Sequence, residues 1–267
     1  MWEFGAELDL RWVMGGLARS YGPAYRDSDG NVGSGTDCFA DSMALWLDVS
    51  AETGMPVDPR IWTRSRISST YPACQAVIAA CEQGSEAGYR YLRRLREGLM
   101  CERKRLDHPE ALIAEAGAAG IDVARFEIDL RSNAIVEAFG AQLEEVRDFP
   151  VEVKEQGKTK VTEGVERMSF PSAIFVGPDG ERHGVYGWQP YERYREAALA
   201  AGATVRNADL ADGPLEVLER FGRSATREIE ELTGRPRPVV EAELWALARD
   251  WRLKPVSLLM GTIWERA

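Results

Sequence analysis

A chain of 267 residues that is 45% hydrophobic and 28% charged can bury a real core and does not read as disordered. Its formal net charge of −10 argues against a broad phosphate-binding surface, which needs clustered Lys and Arg. No apolar run approaches the ~18 residues of a membrane span, and the start Met1-Trp2-Glu3-Phe4-Gly5 lacks the basic and apolar regions of a leader. A cytoplasmic protein with no membrane segment is expected.

Residues 8–14 alternate, with Leu8, Leu10, Trp12 and Met14 on one side and Asp9 and Arg11 on the other. That period predicts a strand, ended by Gly15-Gly16. Residues 20–36 read as loop. Asp37 can cap a helix through Ala51, with Gly54 as its stop. After an irregular stretch through Ser69, Pro72 sits near the first position of another helix. A long amphipathic helix is predicted over 85–104. Asp107-His108-Pro109 opens the next, which Gly117 and Gly120 close. Asp122 begins a short turn, and Ser132 starts a helix to about Arg147. Residues 37–148 thus form a helical block. Residues 149–165 are rich in Lys and Glu and read as a surface loop. Ser172–Val176 is a short apolar strand, Gly177-Pro178-Asp179-Gly180 a hairpin turn, and Glu181–Tyr186 the return strand. A helix from Pro190 to about Ala201 follows, then a linker near 203–213 and a helical tail.

The four cysteines, Cys38, Cys74, Cys81 and Cys101, include no Cys-x-x-Cys pair. Cys74 and Cys81 stand two turns apart on one helix, roughly 10 Å, too far for a disulfide. Free buried thiols are expected. No ligand spacing supports a metal site that joins them to His108 or His183.

The order strand, helical block, Phe170-Pro171, hairpin, helix is the informative part. It resembles the DsbA-like thioredoxin-fold family, which includes dithiol-disulfide isomerases and 2-hydroxychromene-2-carboxylate isomerases. The resemblance covers about 1–205. It rests on Arg11-Trp-Val-Met-Gly-Gly-Leu17, Gly54-Met-Pro-Val-Asp-Pro-Arg-Ile-Trp62, Ser69-Thr-Tyr-Pro-Ala-Cys-Gln-Ala76, Tyr91-Leu-Arg-Arg-Leu-Arg96 and Phe170-Pro-Ser-Ala-Ile-Phe-Val176. It implies an α/β, thioredoxin-like fold with a large helical insertion. In that family the first strand ends in Cys-Pro-x-Cys or Cys-Pro-x-Ser. Met1 falls where the following helix is about to end, so the resemblance implies that the first strand and the redox helix are missing. We expect a start upstream of Met1 on that basis, and no catalytic residue within these 267.

The resemblance also implies that Pro171 is a cis-proline beside a substrate groove, and that Phe170 presents backbone groups to a thiol or peptide. We therefore take Phe170 and Pro171 as the candidate substrate-binding residues. Cys74 at a helix start could be an activated thiolate, but core packing is the stronger expectation. His183 could act as a general base, but a half-buried hairpin histidine is the plainer reading. Trp188 and Tyr191 could line a groove or simply pack at a helix start.

Residues 210–267 form a second expected unit, with a short helix, a Gly234/Pro236 turn and a second helix. They resemble a winged helix-turn-helix. Residues 214–267 hold nine Lys/Arg and nine Asp/Glu, and Glu241 and Glu243 would repel phosphates. A packing or dimerisation module anchored by Trp245, Trp251 and Trp264 is expected rather than DNA binding. Three functions follow from the resemblance. One is a thiol-disulfide oxidoreductase or isomerase homologue acting on protein or small-molecule thiols. The second is a glutathione-dependent isomerase or transferase. The third is a non-catalytic binding protein.

Overall fold

A computed structural model describes residues 2–21, 37–64, 67–162 and 164–267. Most of the loop expected over 20–36, and the side chains of Asp37 and Cys38, lie outside the described residues.

Helix α1 (Asp37–Thr53) stops at Gly54, which takes φ +72. After the short α2 (Ile61–Arg64) comes α3 (Tyr71–Cys81), with Pro72 in its first turn. Ala76 through Ala80 are all buried, so α3 has no solvent face and becomes the centre of the block. Around it pack α4 (Ser85–Met100), α5 (Pro109–Ala118), α6 (Val123–Leu130) and α7 (Asn133–Glu145). The Tyr91 hydroxyl donates to the Leu112 carbonyl at 2.9 Å, so the fully buried phenol has its partner. Helix α4 is shorter than expected. Helix α6 stands where only a turn was expected, capped by the Asp122 carboxylate, which accepts from the Arg125 N–H at 3.1 Å.

The strand expected at 8–14 does not form among the described residues. The alternation reports burial faithfully: Leu8, Leu10, Trp12 and Met14 are half-buried, Asp9 and Arg11 exposed. A strand also needs a partner backbone, and here side chains take that part. The Met14 N–H donates to Gln142 Oε1 at 2.6 Å, and the Ala18 N–H to Thr70 Oγ1 at 2.9 Å.

The segment 149–165, expected as a surface loop, is ordered. It holds α8 (Val151–Glu155), β1 (Thr159–Thr162) and the start of β2 (Val165–Met168), paired antiparallel from Thr159↔Met168 to Thr162↔Val165. β-branched Thr159, Val161, Thr162 and Val165 favour the strands. The Lys/Glu content that suggested a loop supplies a Lys154–Glu166 pair at 2.8 Å.

Strands β3 (Ser172–Val176) and β4 (Arg182–Tyr186) form the hairpin, in register from Ser172↔Tyr186 to Val176↔Arg182. Helix α9 (Tyr191–Ala200) packs on it. Among the described residues β3 pairs with β4 alone, so its outer edge is open. Phe170 and Ile174 pack with Val13, Val146, Val153 and Met168 in a small cluster that ties the 8–16 segment to the hairpin.

The tail is more than helical. Helix α10 (Pro214–Phe221), the two-residue β5 (Ser224–Ala225), α11 (Thr226–Thr233), α12 (Arg237–Arg249), β6 (Leu253–Ser257) and β7 (Thr262–Arg266) make three helices and a sheet of order β5-β7-β6. That is the element order of a winged helix-turn-helix. Pro255 is tolerated because β6 is an edge strand. Trp264, 1% exposed, packs on Leu244 and Val240, and its Nε1–H donates to Thr226 Oγ1 at 2.9 Å.

Two features join this module to the helical block. Arg93 on α4 grips Glu228 through Nη1 at 2.6 Å and Nη2 at 3.0 Å, and Arg223 reaches Glu102 at 2.7 Å and Glu97 at 3.3 Å. The β6–β7 turn also pairs with the segment after α1: the Val57 N–H donates to the Met260 carbonyl at 3.0 Å, and the Met260 N–H returns to Val57 at 3.1 Å.

Candidate functional site

The Phe170–Pro171 peptide is cis, as the resemblance implies. It sits at the head of β3. Its neighbours are tightly tied. The Ser169 N–H donates to the Lys158 carbonyl at 2.8 Å, and the Ser172 hydroxyl donates to the Ser169 carbonyl at 2.6 Å and accepts from the Gly187 N–H at 3.2 Å. Phe170 itself differs. Among the described residues neither its N–H nor its C=O meets a hydrogen-bond partner. Pro171 is exposed and Phe170 half-buried.

The Phe170 ring is closely packed. The Arg167 guanidinium lies 4.1 Å from its centroid, and Arg167 is itself 5% exposed. Arg167 is fixed by Thr162 Oγ1 at 3.0 Å and by the Met168 carbonyl at 2.8 Å. Gly15 lies at the Cζ end of the ring, where an added Cβ would stand 1.9 Å from Phe170 Cζ. Gly16, at φ +58, is equally close-packed, with Tyr71 Cε1 2.8 Å from where its Cβ would be. Gly15, Gly16, Tyr71, Leu143, Thr162 and Arg167 line a recess of about 10 Å³, room for one water. The Phe170 backbone groups are thus unpaired among the described residues, while the side-chain space beneath is filled.

The described thiols do not supply a nucleophile. Burial pushes the Cys74 thiol up to about 11, although the Gly16 N–H points to its sulfur and acts the other way. Burial pushes Cys101 up to about 12, with Glu97 and Glu102 adding to it, and its Sγ donates to the Pro56 carbonyl at 3.3 Å. Burial raises Cys81 as well. All three are free thiols. Cys38 lies outside the described side chains.

The other candidates disperse. His183 pairs with Phe175 in the hairpin register, about 13 Å of strand beyond Pro171, and its Nε2 is 3.8 Å from Glu181. The Tyr191 hydroxyl donates to Glu3, which also binds Arg195 at 2.6 Å, so this ring fastens the N-terminal residues to α9. Trp188 is half exposed, two residues past Tyr186. His108 is exposed beside Asp107. Among the described residues no three His, Cys, Asp or Glu side chains gather as metal ligands would.

A sequence profile described as Thioredoxin matches residues 3–196, which is most of the chain. The chain belongs to the thioredoxin family. Several curated relatives extend the likeness. One from Halalkalibacterium halodurans is 27% identical over 194 residues, 72% of this chain and 56% of its own length. One from Shouchella clausii is 24% identical over 246 residues, 85% of this chain and 76% of its own. One from Bacillus subtilis is 26% identical over 226 residues, 82% and 70%. Each is named ClpXP adapter protein SpxH. The chain thus spans just over half the length of the first of them. A crystal structure from Nitrosomonas europaea, provisionally named a protein disulfide isomerase, is similar with a TM-score of 0.49 and 18% identity. It covers 65% of this chain and 78% of the other.

Sequence reasoning in this thioredoxin-family chain singled out Phe170 and Pro171, whose peptide is cis, and missed what packs around them. Gly15 was read only as the end of a strand, though two adjacent glycines beside an apolar segment also signal a close approach. Arg167 carried no signal. Its position depends on the β1–β2 hairpin, which was taken for a loop.

Proposed function

We propose that this chain is a protein-binding, adapter-type member of the thioredoxin family that holds an extended segment of a client protein at the Phe170–Pro171 corner. One observation carries the reading: Phe170 offers an N–H and a C=O with no partner among the described residues, at the head of β3, whose outer edge is open. Extended chains bind such edges through main-chain hydrogen bonds. The relatives' name, ClpXP adapter protein, is consistent with a protein client delivered to that machine. Among the described thiols, Cys74, Cys81 and Cys101 are all shifted toward the protonated form, so none of these three supplies the thiolate that the thiol-disulfide oxidoreductase and isomerase reading needs.

A photo-crosslinking residue at Ser172 tests this in the producing organism. The expected result is a crosslinked client whose ClpXP-dependent turnover slows when this chain is deleted. Unchanged client turnover would overturn the reading. So would dithiothreitol-linked insulin reduction that vanishes in Cys74→Ser, which favours the oxidoreductase, or retention on glutathione resin, which favours the isomerase.

A further inference from the structure

Residues 2–18 are fastened firmly at their two ends and differently between them. At the near end the Trp2 ring lies 6.1 Å from Phe221 of α10, with the Arg220 guanidinium 4.6 Å from its centroid. The Trp2 Nε1–H donates to the Asp209 carbonyl at 2.7 Å. Glu3 binds Arg195 of α9 at 2.6 Å and accepts from the Tyr191 hydroxyl. The Glu3 carbonyl accepts the Arg206 and Asn207 N–H groups, each at 2.9 Å. Trp2 and Glu3 thus grip α9, the 203–213 linker and the tail module together.

At the far end Ala18 is bound to the start of α3. Its N–H donates to Thr70 Oγ1 at 2.9 Å, and its carbonyl accepts the Thr70 N–H at 3.0 Å. The middle has no such bonds. From Asp9 to Val13 no backbone N–H or C=O meets a partner among the described residues. Side chains hold it instead. Arg11 grips Glu145 through two bonds at 2.7 and 2.8 Å, though the two side chains are 67% and 39% exposed. Trp12 stacks on Tyr89 with the ring centroids 5.9 Å apart. A segment without backbone pairing lies at the low end of local stability, and exposed ion pairs add little to it.

Between the middle and the far end stand Gly15 and Gly16, the latter at φ +58. Two glycines in succession are the freest backbone a chain can have, and hinges absorb large changes in φ and ψ at such places. The same pair is where the segment meets the candidate corner. Gly15 abuts the Cζ end of the Phe170 ring, and the Gly16 N–H points to the Cys74 sulfur. A rotation at these glycines lifts the cover from both.

We propose that residues 2–14 are a latched strap, hinged at Gly15–Gly16, whose release from the tail module opens the packing at Phe170 and uncovers Cys74. The strap moves as one unit because no backbone ladder in its middle isolates one end from the other. Its latch lies on α9, α10 and the linker, so a shift of the tail module reaches the corner through it. What this does to a client rests on the proposed role of the Phe170–Pro171 corner. The strap itself is measured without a client, so its failure leaves that role standing.

Iodoacetamide alkylation of the full-length chain at pH 8, resolved by peptide mass spectrometry, reads Cys74 and Cys101 separately. Cys101 bonds to the Pro56 carbonyl, outside the strap, and reports general loosening. In Trp2→Ala/Glu3→Ala, Cys74 should react about tenfold faster, the scale of lost bonds to a charged group, while Cys101 holds within about twofold. Hydrogen exchange should quicken at the Met14 amide, which is bonded to Gln142, and hold at the Ala18 amide beyond the hinge. Arg195→Met removes one exposed arm of the latch from outside the strap and should speed Cys74 about two- to threefold. It decides the matter if the double variant does not fold. An unchanged Cys74 rate in either folded variant would overturn the strap, as would equal acceleration of Cys101 or of exchange at Ala18.

Discussion

Replacing Gly15 with Ala tests the packing at the candidate corner. The added Cβ would stand 1.9, 2.4 and 2.9 Å from three atoms of the Phe170 ring, where real Cβ contacts are all longer than 3.0 Å. The ring is also stacked by the Arg167 guanidinium, 4.1 Å from its centroid and itself hydrogen-bonded, which limits how far it can move. Gly15 is not in the left-handed region, so the cost is purely steric. Overpacking of this kind costs about 2–3 kcal/mol when the neighbours are fixed. Phe170→Ala should cost about 2 kcal/mol on its own, since the ring is half-buried. The two costs should not add. With the ring gone the extra methyl has room, so the double variant should resemble Phe170→Ala, a coupling of about 2 kcal/mol. Urea unfolding of the four proteins, followed by circular dichroism, measures it. A Gly15→Ala cost below about 0.5 kcal/mol, or additive costs, would refute the close-packed corner.

Three further expectations follow from the thiols and the ionic joint. Cys74 and Cys101, pushed up to about 11 and about 12, should react with Ellman's reagent at pH 8 at least ~100-fold more slowly in the native chain than in urea. Equal native and unfolded rates would show an activated thiol. Arg93→Met strands Glu228 near Glu97 and should cost about 2 kcal/mol. That is below the value for fully buried pairs because the two side chains are 22% and 26% exposed. The same variant should speed proteolysis in the 203–213 linker, and unchanged cleavage would argue against a rigid joint. Burial works to raise the Glu102 carboxyl, but Arg94, Arg223 and Lys104 hold it down at about 2. Its contribution is therefore present above pH 4.5 and is lost as pH falls toward 2, about 1–2 kcal/mol after solvent screening. Glu97 is raised by burial, so acid relieves rather than adds to its cost. Glu102→Gln should flatten the urea midpoint against pH over that window, and an unchanged slope would remove Glu102 from the account.

The sequence made some of this legible for clear reasons. Pro72 followed by an unbroken apolar run marked α3 as a central helix, and the Gly234/Pro236 punctuation marked the turn between α11 and α12. The cis peptide at Pro171 was legible because its setting, between a helical block and a hairpin, matches a known order. The failures are as specific. Alternation over 8–14 reported which side chains are buried, and burial is not hydrogen bonding. Residues 159–168 look like a polar loop until Thr159, Val161, Thr162 and Val165 are read as β-branched positions. Arg167, the Arg93–Glu228 grip and the 86% exposure of Trp251 are tertiary facts with no local trace.

The bridge between Val57 and Met260 has a consequence for synthesis. Its two halves lie 203 residues apart. At ribosomal rates of about 5–20 residues per second, Val57 and the buried Trp62 beside it wait roughly 10–40 s for Met260 to emerge. The α3–α7 core can close in that interval from local contacts alone. The segment after α1 cannot, and neither can Trp2 and Glu3, whose partners are Asp209 and Arg195. The nascent chain therefore carries an unfinished apolar flank until its last turn is made, and a ribosome stalled before Met260 would release a core without its seal.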